Sequence, residues 1–238
     1  MSAGEQLLAE LKVLQNPESS IFLSRFFKTG PGEYGEGDLF LGLRVPQTRA
    51  IVKKYVKQLT VVDLEFLLAS KWHEARLAAV VAMRAQFEKA DLQTQTTLYN
   101  LYLCQIGKGI NSWDLVDVSC PGVVGAYLCD KDRTPLYELA TKGLWHKRVS
   151  IISTFYFLKH DTPVDTYALA EILVNEKHDL LQKAVGWSLR EMGKKDGQLL
   201  RQFLDSYAAT MPRTALRYAL EHLPKSERVY YMYLKHET

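Results

Sequence analysis

Apolar residues recur at helical spacing along almost the whole chain, whereas the alternation of apolar and polar residues typical of half-buried strands is scarce. The pattern therefore predicts an all-α protein. A first helix is expected near residues 3–15, and Asn16 followed by Pro17 predicts the start of a second helix that ends at about Lys28. Later helix starts are predicted at Pro46, Asp91, Thr162-Pro163 and Met211-Pro212.

A repeat becomes visible when the basic positions are aligned. Arg76 and Arg148 each follow a Trp-His pair and lie 72 residues apart, which is two periods of about 36; Lys183 follows 35 residues later and Arg213 another 30. Helix pairs with this period predict a curved solenoid of HEAT-like antiparallel helix pairs that occupies residues 1–238 as a single domain.

These four cations would form a regular track if the second helix of each pair lined the concave side. Such a groove would bind a phosphodiester backbone, because each neutralised phosphate releases condensed counterions. The net charge is only +3, so nucleic-acid binding would require the positive charge to be concentrated on one face. The alternative is that the four residues are unrelated solvated charges near helix starts.

Composition sets the class of protein. With 238 residues, 47% of them hydrophobic, the chain can form one soluble domain with a sizeable core. The first twenty residues contain three glutamates and no long apolar run, so secretion and membrane spanning are disfavoured. Three cysteines without a CxxC pair indicate reduced thiols and a cytoplasmic location. The six histidines lack metal-ligand spacing, so neither a metal centre nor a cofactor is predicted.

One apparent motif is excluded. The segment from Gly30 to Gly35 matches G-x-G-x-x-G, but it follows a predicted helix rather than a strand. It also carries Glu33 and is followed by Glu36, and acidic side chains repel phosphate. We therefore interpret it as a flexible loop rather than a dinucleotide site.

The segment Asn111–Asp117 carries the first candidate chemistry. If Ser112 caps a helix, Trp113 opens it and Asp117 lies four residues further along the same face, so an indole and a carboxylate together could hold a cation. Asp114 lies in the first turn, where its charge complements the helix dipole, and we expect it to be structural. Pro121 predicts a short or kinked helix. The alternative is a packing tryptophan beside a solvated acid.

A second informative segment surrounds Trp187. Gly186 in the middle of a predicted helix costs roughly 1 kcal/mol relative to alanine, and a close approach of another element would explain it. Lys183, Trp187 and Arg190 share one helix face. A core role for Trp187 is the alternative.

Three blocks stand out in the chain: Ser112-Trp113-Asp114-Leu115-Val116-Asp117, Trp145-x-x-Arg148 and Gln182-Lys183-Ala184-x-Gly186-Trp187-x-Leu189-Arg190-Glu191. Taken together they resemble the AlkD family of DNA alkylation repair enzymes, the HEAT-like repeat DNA glycosylases, and the resemblance covers the chain from about Phe22 to its end. The resemblance implies a curved all-α solenoid that binds double-stranded DNA and removes N3- or N7-alkylated purines. By motif match it implies that Asp117 is the catalytic carboxylate, that Trp113 and Trp187 flank the deoxyribose of the lesion, and that Arg148 contacts the backbone.

Two departures from the family accompany this resemblance. The glycine-rich segment from Thr29 to Asp38 is longer than in compact members, and Phe26 stands where at least one active member carries a tyrosine.

These observations lead to one main hypothesis and two alternatives. The main hypothesis is a monomeric, monofunctional DNA glycosylase that uses Asp117 with the two tryptophans and no metal, and that has no membrane partner. The alternatives are a non-catalytic HEAT-like binder of damaged or branched DNA, and a protein-binding scaffold in which Asp117 and Trp187 are incidental. The residues expected to contact DNA are Arg148, Lys183, Arg190, Arg76 and Arg213.

Overall fold

The computed structural model describes residues 1–234, and the prediction of an all-α protein is confirmed for them. Apart from two isolated bridge pairs, the regular structure in this range is helical. The helices are α1 (Ala3–Val13), α2 (Pro17–Phe26), α3 (Val45–Tyr55), α4 (Val61–Leu68), α5 (His73–Phe87), α6 (Leu92–Gln105), α7 (Trp113–Cys120), α8 (Ala126–Leu128), α9 (Thr134–Leu139), α10 (Leu144–Lys159), α11 (Val164–Leu173), α12 (Asp179–Lys195), α13 (Gly197–Tyr207), α14 (Arg213–Ala219) and α15 (Lys225–Tyr233).

The predicted helix starts agree with the structure because their signals are local. Asn16 caps α2 by accepting a hydrogen bond from the Ser19 N–H at 3.0 Å, and Asp91 caps α6 through the Thr94 N–H at 2.8 Å. Helix α2 ends at Phe26, before the predicted end at Lys28, because Lys28 takes the left-handed backbone conformation with φ of 52°.

The chain forms two compact units, the first comprising residues 1–123 and the second beginning at Val124. In the first unit α3, α5 and α7 pack one after another, while α4 and α6 pack on α5 and α1 packs on α3 and α4. Contact between every second helix is the arrangement expected of stacked helix pairs. The single-domain prediction for residues 1–238 and the predicted curvature stay predictions.

The second unit has the same kind of packing. Helices α10, α12 and α14 pack in succession, with α9 and α11 on α10 and with α11 and α13 on α12. Gly186 lies where α12 meets α14, and a Cβ atom there would lie 2.3 Å from the Ala215 carbonyl oxygen. The close approach predicted from the mid-helix glycine is therefore confirmed.

Helix α7 is short, as predicted from Pro121. It ends at Cys120, and residues Pro121–Gly125 continue as a π-helical turn, because proline has no N–H to donate to the preceding turn. The Arg84 guanidinium of α5 donates a hydrogen bond to the Val118 carbonyl at 2.8 Å, which fixes the last turn of α7 against α5.

The segment that precedes α3 is held by one carboxylate. Glu74, buried on α5, accepts hydrogen bonds from the backbone N–H groups of Leu41, Gly42 and Leu43 at 2.8, 2.8 and 3.1 Å. Gly42 has φ of 88°, a conformation that favours glycine. Buried backbone donors need partners, and here a single side chain supplies them.

The glycine-rich loop between α2 and α3 closes on its own acidic side chains. Glu33 accepts a hydrogen bond from the Gly30 N–H at 2.9 Å, and Glu36 accepts one from the Gly32 N–H at 2.9 Å. The Gly30 and Gly32 N–H groups therefore already donate to carboxylates and are not free to bind a phosphate. This supports the interpretation of the segment from Gly30 to Gly35 as a loop rather than a dinucleotide site. Within residues 1–234, no helix is both long and apolar enough to cross a membrane.

Candidate functional site

Helix α7 presents the candidate carboxylate and the first candidate indole. Trp113 is the first residue of α7, Asp117 follows one turn later, and both side chains are half-buried. Ser112 occupies the N-cap position as predicted, but its hydroxyl is buried and makes no capping hydrogen bond. Burial raises the pKa of the nearby Tyr102 phenol well above its ordinary value, and the charges of Cys120 and Asp117 raise it further.

Trp113 lies at the end of a row of aromatic rings, formed by Phe22, Phe26, Phe27 and Trp113, which we call the aromatic row. The Phe27 ring stacks on the indole with a centroid distance of 5.4 Å and an interplanar angle of 12°, while the Phe26 ring meets it edge-on at 6.1 Å. Phe22 stacks on Phe26 at 6.3 Å. Because Phe26 is 56% and Phe22 67% exposed, the row connects the half-buried indole to the protein surface.

A buried charge network, consisting of Asp114, His73, Asp38 and Arg76, lies behind the aromatic row. His73 Nε2 is 2.8 Å from Asp114 Oδ2, His73 Nδ1 is 3.1 Å from Asp38 Oδ2, and Arg76 Nη2 is 2.7 Å from Asp38 Oδ1. The imidazole also lies against the rings of Phe27 and Phe40, at centroid distances of 4.9 and 4.6 Å.

The network keeps His73 charged at neutral pH. Burial alone lowers the pKa of His73, but the charge and hydrogen bond of Asp114 and the hydrogen bond of Asp38 outweigh it and raise the pKa to about 9. For Asp38 the effects have the opposite sign. Burial raises the pKa of Asp38, but the hydrogen bond from His73 and the charge of Arg76 outweigh burial and lower the pKa below its usual value. Two cations thus alternate with two carboxylates, so each buried charge has a partner.

The sequence interpretation missed most of this network. It used His73 only as a marker of the Trp-His repeat, and nothing in the sequence relates Asp38 to it. Arg76 was expected to line a groove, but it is only 5% exposed, pairs with Asp38 and donates to the Ser70 carbonyl at 3.0 Å. This placement gives the predicted phosphate contact of Arg76 no support.

In the second unit, α12 carries the other candidate indole. Trp187 is half-buried, and the Phe155 ring of α10 meets it edge-on at 4.7 Å. Arg148 on α10 is 4% exposed, and its Nη1 atom donates to the Leu180 carbonyl at 2.5 Å. Arg148 therefore connects α10 to the first turn of the helix that carries Trp187; its predicted contact with DNA stays a prediction.

Of the other three predicted cations, Arg213 is exposed, whereas Lys183 and Arg190 are half-buried. Lys183 pairs with Asp179 at 2.7 Å, and Arg190 pairs with Glu191 at 3.3 Å and with Glu221. Arg213 donates to the Met232 carbonyl at 2.5 Å. The exposed pair of Lys183 with Asp179 contributes little stability, typically about 0–1 kcal/mol, so Lys183 can exchange its acidic neighbour for a phosphate at low cost.

No group of three or more His, Cys, Asp or Glu side chains converges within residues 1–234 in a way that could hold a metal ion.

The decisive comparison is with protein-family models. The model described as "DNA alkylation repair enzyme" matches residues 7–223, which is most of the chain. The chain belongs to the DNA alkylation repair enzyme family. Membership identifies it as an enzyme of DNA alkylation repair that acts on DNA, and it confirms the sequence-based recognition at the level of this family. The finer assignment to AlkD stays a prediction.

A solved structure agrees in fold with this member of the family. The "Predicted DNA alkylation repair enzyme" from Enterococcus faecalis has a TM-score of 0.69 and 18% sequence identity, covering 89% of this chain and 97% of the other. At that identity the likeness shows the helical fold alone. No curated protein matches this chain.

Proposed function

We propose that this enzyme is a monomeric, monofunctional DNA glycosylase that excises N3- and N7-alkylated purines from duplex DNA, with Asp117, Trp113 and Trp187 at the reacting sugar. One observation carries the proposal: Trp113 and Asp117 are one turn apart on the same short helix, both half-buried rather than sealed in the core. The aromatic row supports the indole on one side, and His73 fixes the first turn of the helix through Asp114.

The proposed reaction follows from the charge of the lesion. A purine alkylated at N3 or N7 carries a positive charge, so when the bond from the base to C1′ breaks, the electron pair leaves with the base and neutralises it. Little general-acid assistance is needed. The sugar becomes oxocarbenium-like, and the Asp117 carboxylate stabilises that cation. Water then attacks C1′ and gives up a proton to Asp117 or to solvent, which leaves an abasic site and a free base.

The two indoles would act on the same developing cation. An aromatic face attracts a nearby cation by roughly 0.5–2 kcal/mol. Trp113 and Trp187 each keep part of the ring exposed, as a residue that meets a ligand must. The edge-on contact of Trp187 with Phe155, like the stacking of Trp113 on Phe27, restricts the orientation of the ring before DNA binds.

The surface cations would hold the DNA backbone. Lys183 and Arg213 are the more accessible of them, whereas Arg190 is half-buried, and each phosphate that these cations neutralise would release counterions. Arg148 is buried, so we assign it first a positioning role, in which it holds α12 through the Leu180 carbonyl.

A base-release assay tests the proposal. The full chain is incubated with duplex DNA that contains a single 7-methylguanine, and the freed base is measured under single-turnover conditions. We expect release by the wild-type chain and a decrease of roughly 100-fold or more in Asp117→Asn, which retains the shape of the side chain but not its charge. Asp91→Asn is the matched control, because Asp91 caps α6 and asparagine caps equally well.

Two outcomes contradict the proposal. Excision at the wild-type rate by Asp117→Asn would remove the assigned role of that carboxylate. A duplex that is retarded in a gel without any release of base would instead identify a non-catalytic DNA-binding protein.

A further inference from the structure

The first unit contains a recess beside α7 that the sequence analysis did not identify. Its volume is about 280 Å³, and its walls come from α3, α5 and α7. Val118, which follows the candidate catalytic Asp117, forms part of the wall on α7. The recess, which we call the arginine recess, is lined by Arg49, Val81, Arg84, Ala85, Glu88 and Val118.

Arg84 is held in a defined position at this recess. Its Nη1 atom donates to the Val118 carbonyl at 2.8 Å, and its side chain crosses Gly122. A Cβ atom at Gly122 would lie only 2.9 Å from Arg84 Cγ and 2.8 Å from Arg84 Nε. The Arg84 side chain can therefore occupy this position only because residue 122 has no side chain. A guanidinium carries five N–H donors in a rigid fork, and the bond to Val118 uses only one of them.

Arg49 supplies a second guanidinium to the same recess. It is exposed on α3 and forms no ion pair with any acid among residues 1–234. The acid that lines the recess is Glu88, whose carboxylate is itself exposed and lies 3.7 Å from Arg84 Nε. The recess therefore has two guanidinium groups and a single loosely associated carboxylate, which is a net positive site.

We propose that Arg49 and Arg84 together bind one phosphodiester group of the DNA, and that this contact holds the strand against the helix that carries Asp117; the inference rests on the proposed function. Guanidinium forks match the oxygen atoms of a phosphate, and a group already held in place loses less freedom on binding. The recess is open to solvent, so a backbone that continues on both sides of the phosphate can enter it.

The experiment measures the salt dependence of DNA binding, without requiring catalysis. Fluorescence anisotropy gives the affinity of the full chain for an undamaged duplex at several KCl concentrations. We expect Arg49→Ala to decrease the slope of log K against log salt concentration by about one unit, which corresponds to one lost phosphate contact. Lys12→Ala removes an exposed cation of the same unit outside the recess, and we expect a slope close to wild type.

A second variant tests Arg84 without removing its charge. In Gly122→Ala the new methyl group would displace the Arg84 side chain, so we expect weaker binding, provided that thermal unfolding shows the protein to be folded. If Arg49→Ala and Arg49→Glu both bind with the wild-type slope, the assignment is wrong.

The outcomes separate this inference from the proposed function. If Asp117→Asn excises normally while Arg49→Ala decreases the slope, the proposed catalytic role fails and the phosphate contact holds. If base release depends on Asp117 while all Arg49 variants bind as wild type does, only the inference about the arginine recess fails.

Discussion

His73 donates from Nε2 to Asp114 across 2.8 Å, which connects the first turn of α5 to the first turn of α7 through a buried ionic hydrogen bond. Asp114 lies directly after Trp113 and three residues before Asp117. The position of the candidate chemistry on α7 therefore depends on a buried residue of another helix.

The His73 network predicts that stability depends on pH. Folded His73 has a pKa of about 9, against an ordinary value of 6.5, so its stabilisation is complete below pH 6.5 and is lost as the pH rises through 9. We expect the free energy of unfolding to decrease by on the order of 3 kcal/mol across this range. Urea unfolding at a series of pH values measures it.

The control for this prediction is His73→Gln, which cannot titrate. Its unfolding free energy should be lower than wild type at neutral pH and should change less between pH 6.5 and 9. In the wild-type protein, NMR of the His73 ring should show a titration midpoint near 9. A midpoint near the ordinary value would show that the network does not hold the proton.

Gly186 provides a prediction about packing. In Gly186→Ala the new methyl group would lie 2.3 Å from the Ala215 carbonyl oxygen and 2.6 Å from Tyr218 Cβ, so α12 and α14 would have to separate. We expect the free energy of unfolding to fall by about 1–3 kcal/mol or more. Gly143→Ala is the comparison variant, because the nearest neighbour of its Cβ atom would be 4.0 Å away; it loses only the preference of the α10 N-cap for glycine over alanine, and we expect a smaller loss of about 0.5–1 kcal/mol. Equal effects would contradict the packing argument.

Arg148 provides a prediction about the buried guanidinium. Arg148→Ala removes the hydrogen bond to the Leu180 carbonyl, and we expect a loss of about 1–3 kcal/mol of stability. Lys183 pairs with Asp179 at the surface, so the effect of Lys183→Ala should be about 0–1 kcal/mol. Thermal unfolding of the two variants provides the comparison. A larger loss for Lys183→Ala would show that the buried arginine is not the stronger connection.

Trp113 provides a prediction about rate. Removing its indole in Trp113→Ala should slow single-turnover base release by roughly 2- to 30-fold, because one cation–π contact with the sugar is lost. Trp113→Phe should recover part of the rate. In Phe26→Tyr the ring beside Trp113 is retained, and we expect a smaller change. Wild-type release by Trp113→Ala would indicate that this indole only packs against Phe27.

The features predicted correctly from the sequence are those with local causes. Helical periodicity and the cap residues Asn16 and Asp91 act within a few residues, so they fix where helices begin. Pro121 ends α7 because it lacks an N–H. The close approach at Gly186 could be predicted because a glycine within a helix lowers helix stability, and a neighbouring element that leaves no room for a Cβ atom explains its presence.

The features that could not be predicted depend on contacts between distant segments. His73 and Asp38 are 35 positions apart, and Asp38 belongs to a loop with no regular spacing. Arg76 and Arg148 are buried although arginine is usually exposed, because each finds interior acceptors that only the fold brings near. The sequence predicts a structural role for Asp114 at the start of its own helix, whereas its partner in the structure is an imidazole on another helix.

The connection between α2 and α3 has two parts, because only residues 41–43 are attached to Glu74. The anchored part adjoins Phe40 and His73. The part between Gly30 and Gly37 is held by its own glutamates and by Gly35, whose N–H donates to the Lys28 carbonyl at 3.1 Å. An insertion at Gly32, where an added Cβ atom would meet nothing within 4 Å, would leave both the Glu74 anchor and the Gly35 contact in place. Evolution can therefore vary the length of the loop near Gly32, or an engineer can add a label there, without moving the rings behind Trp113.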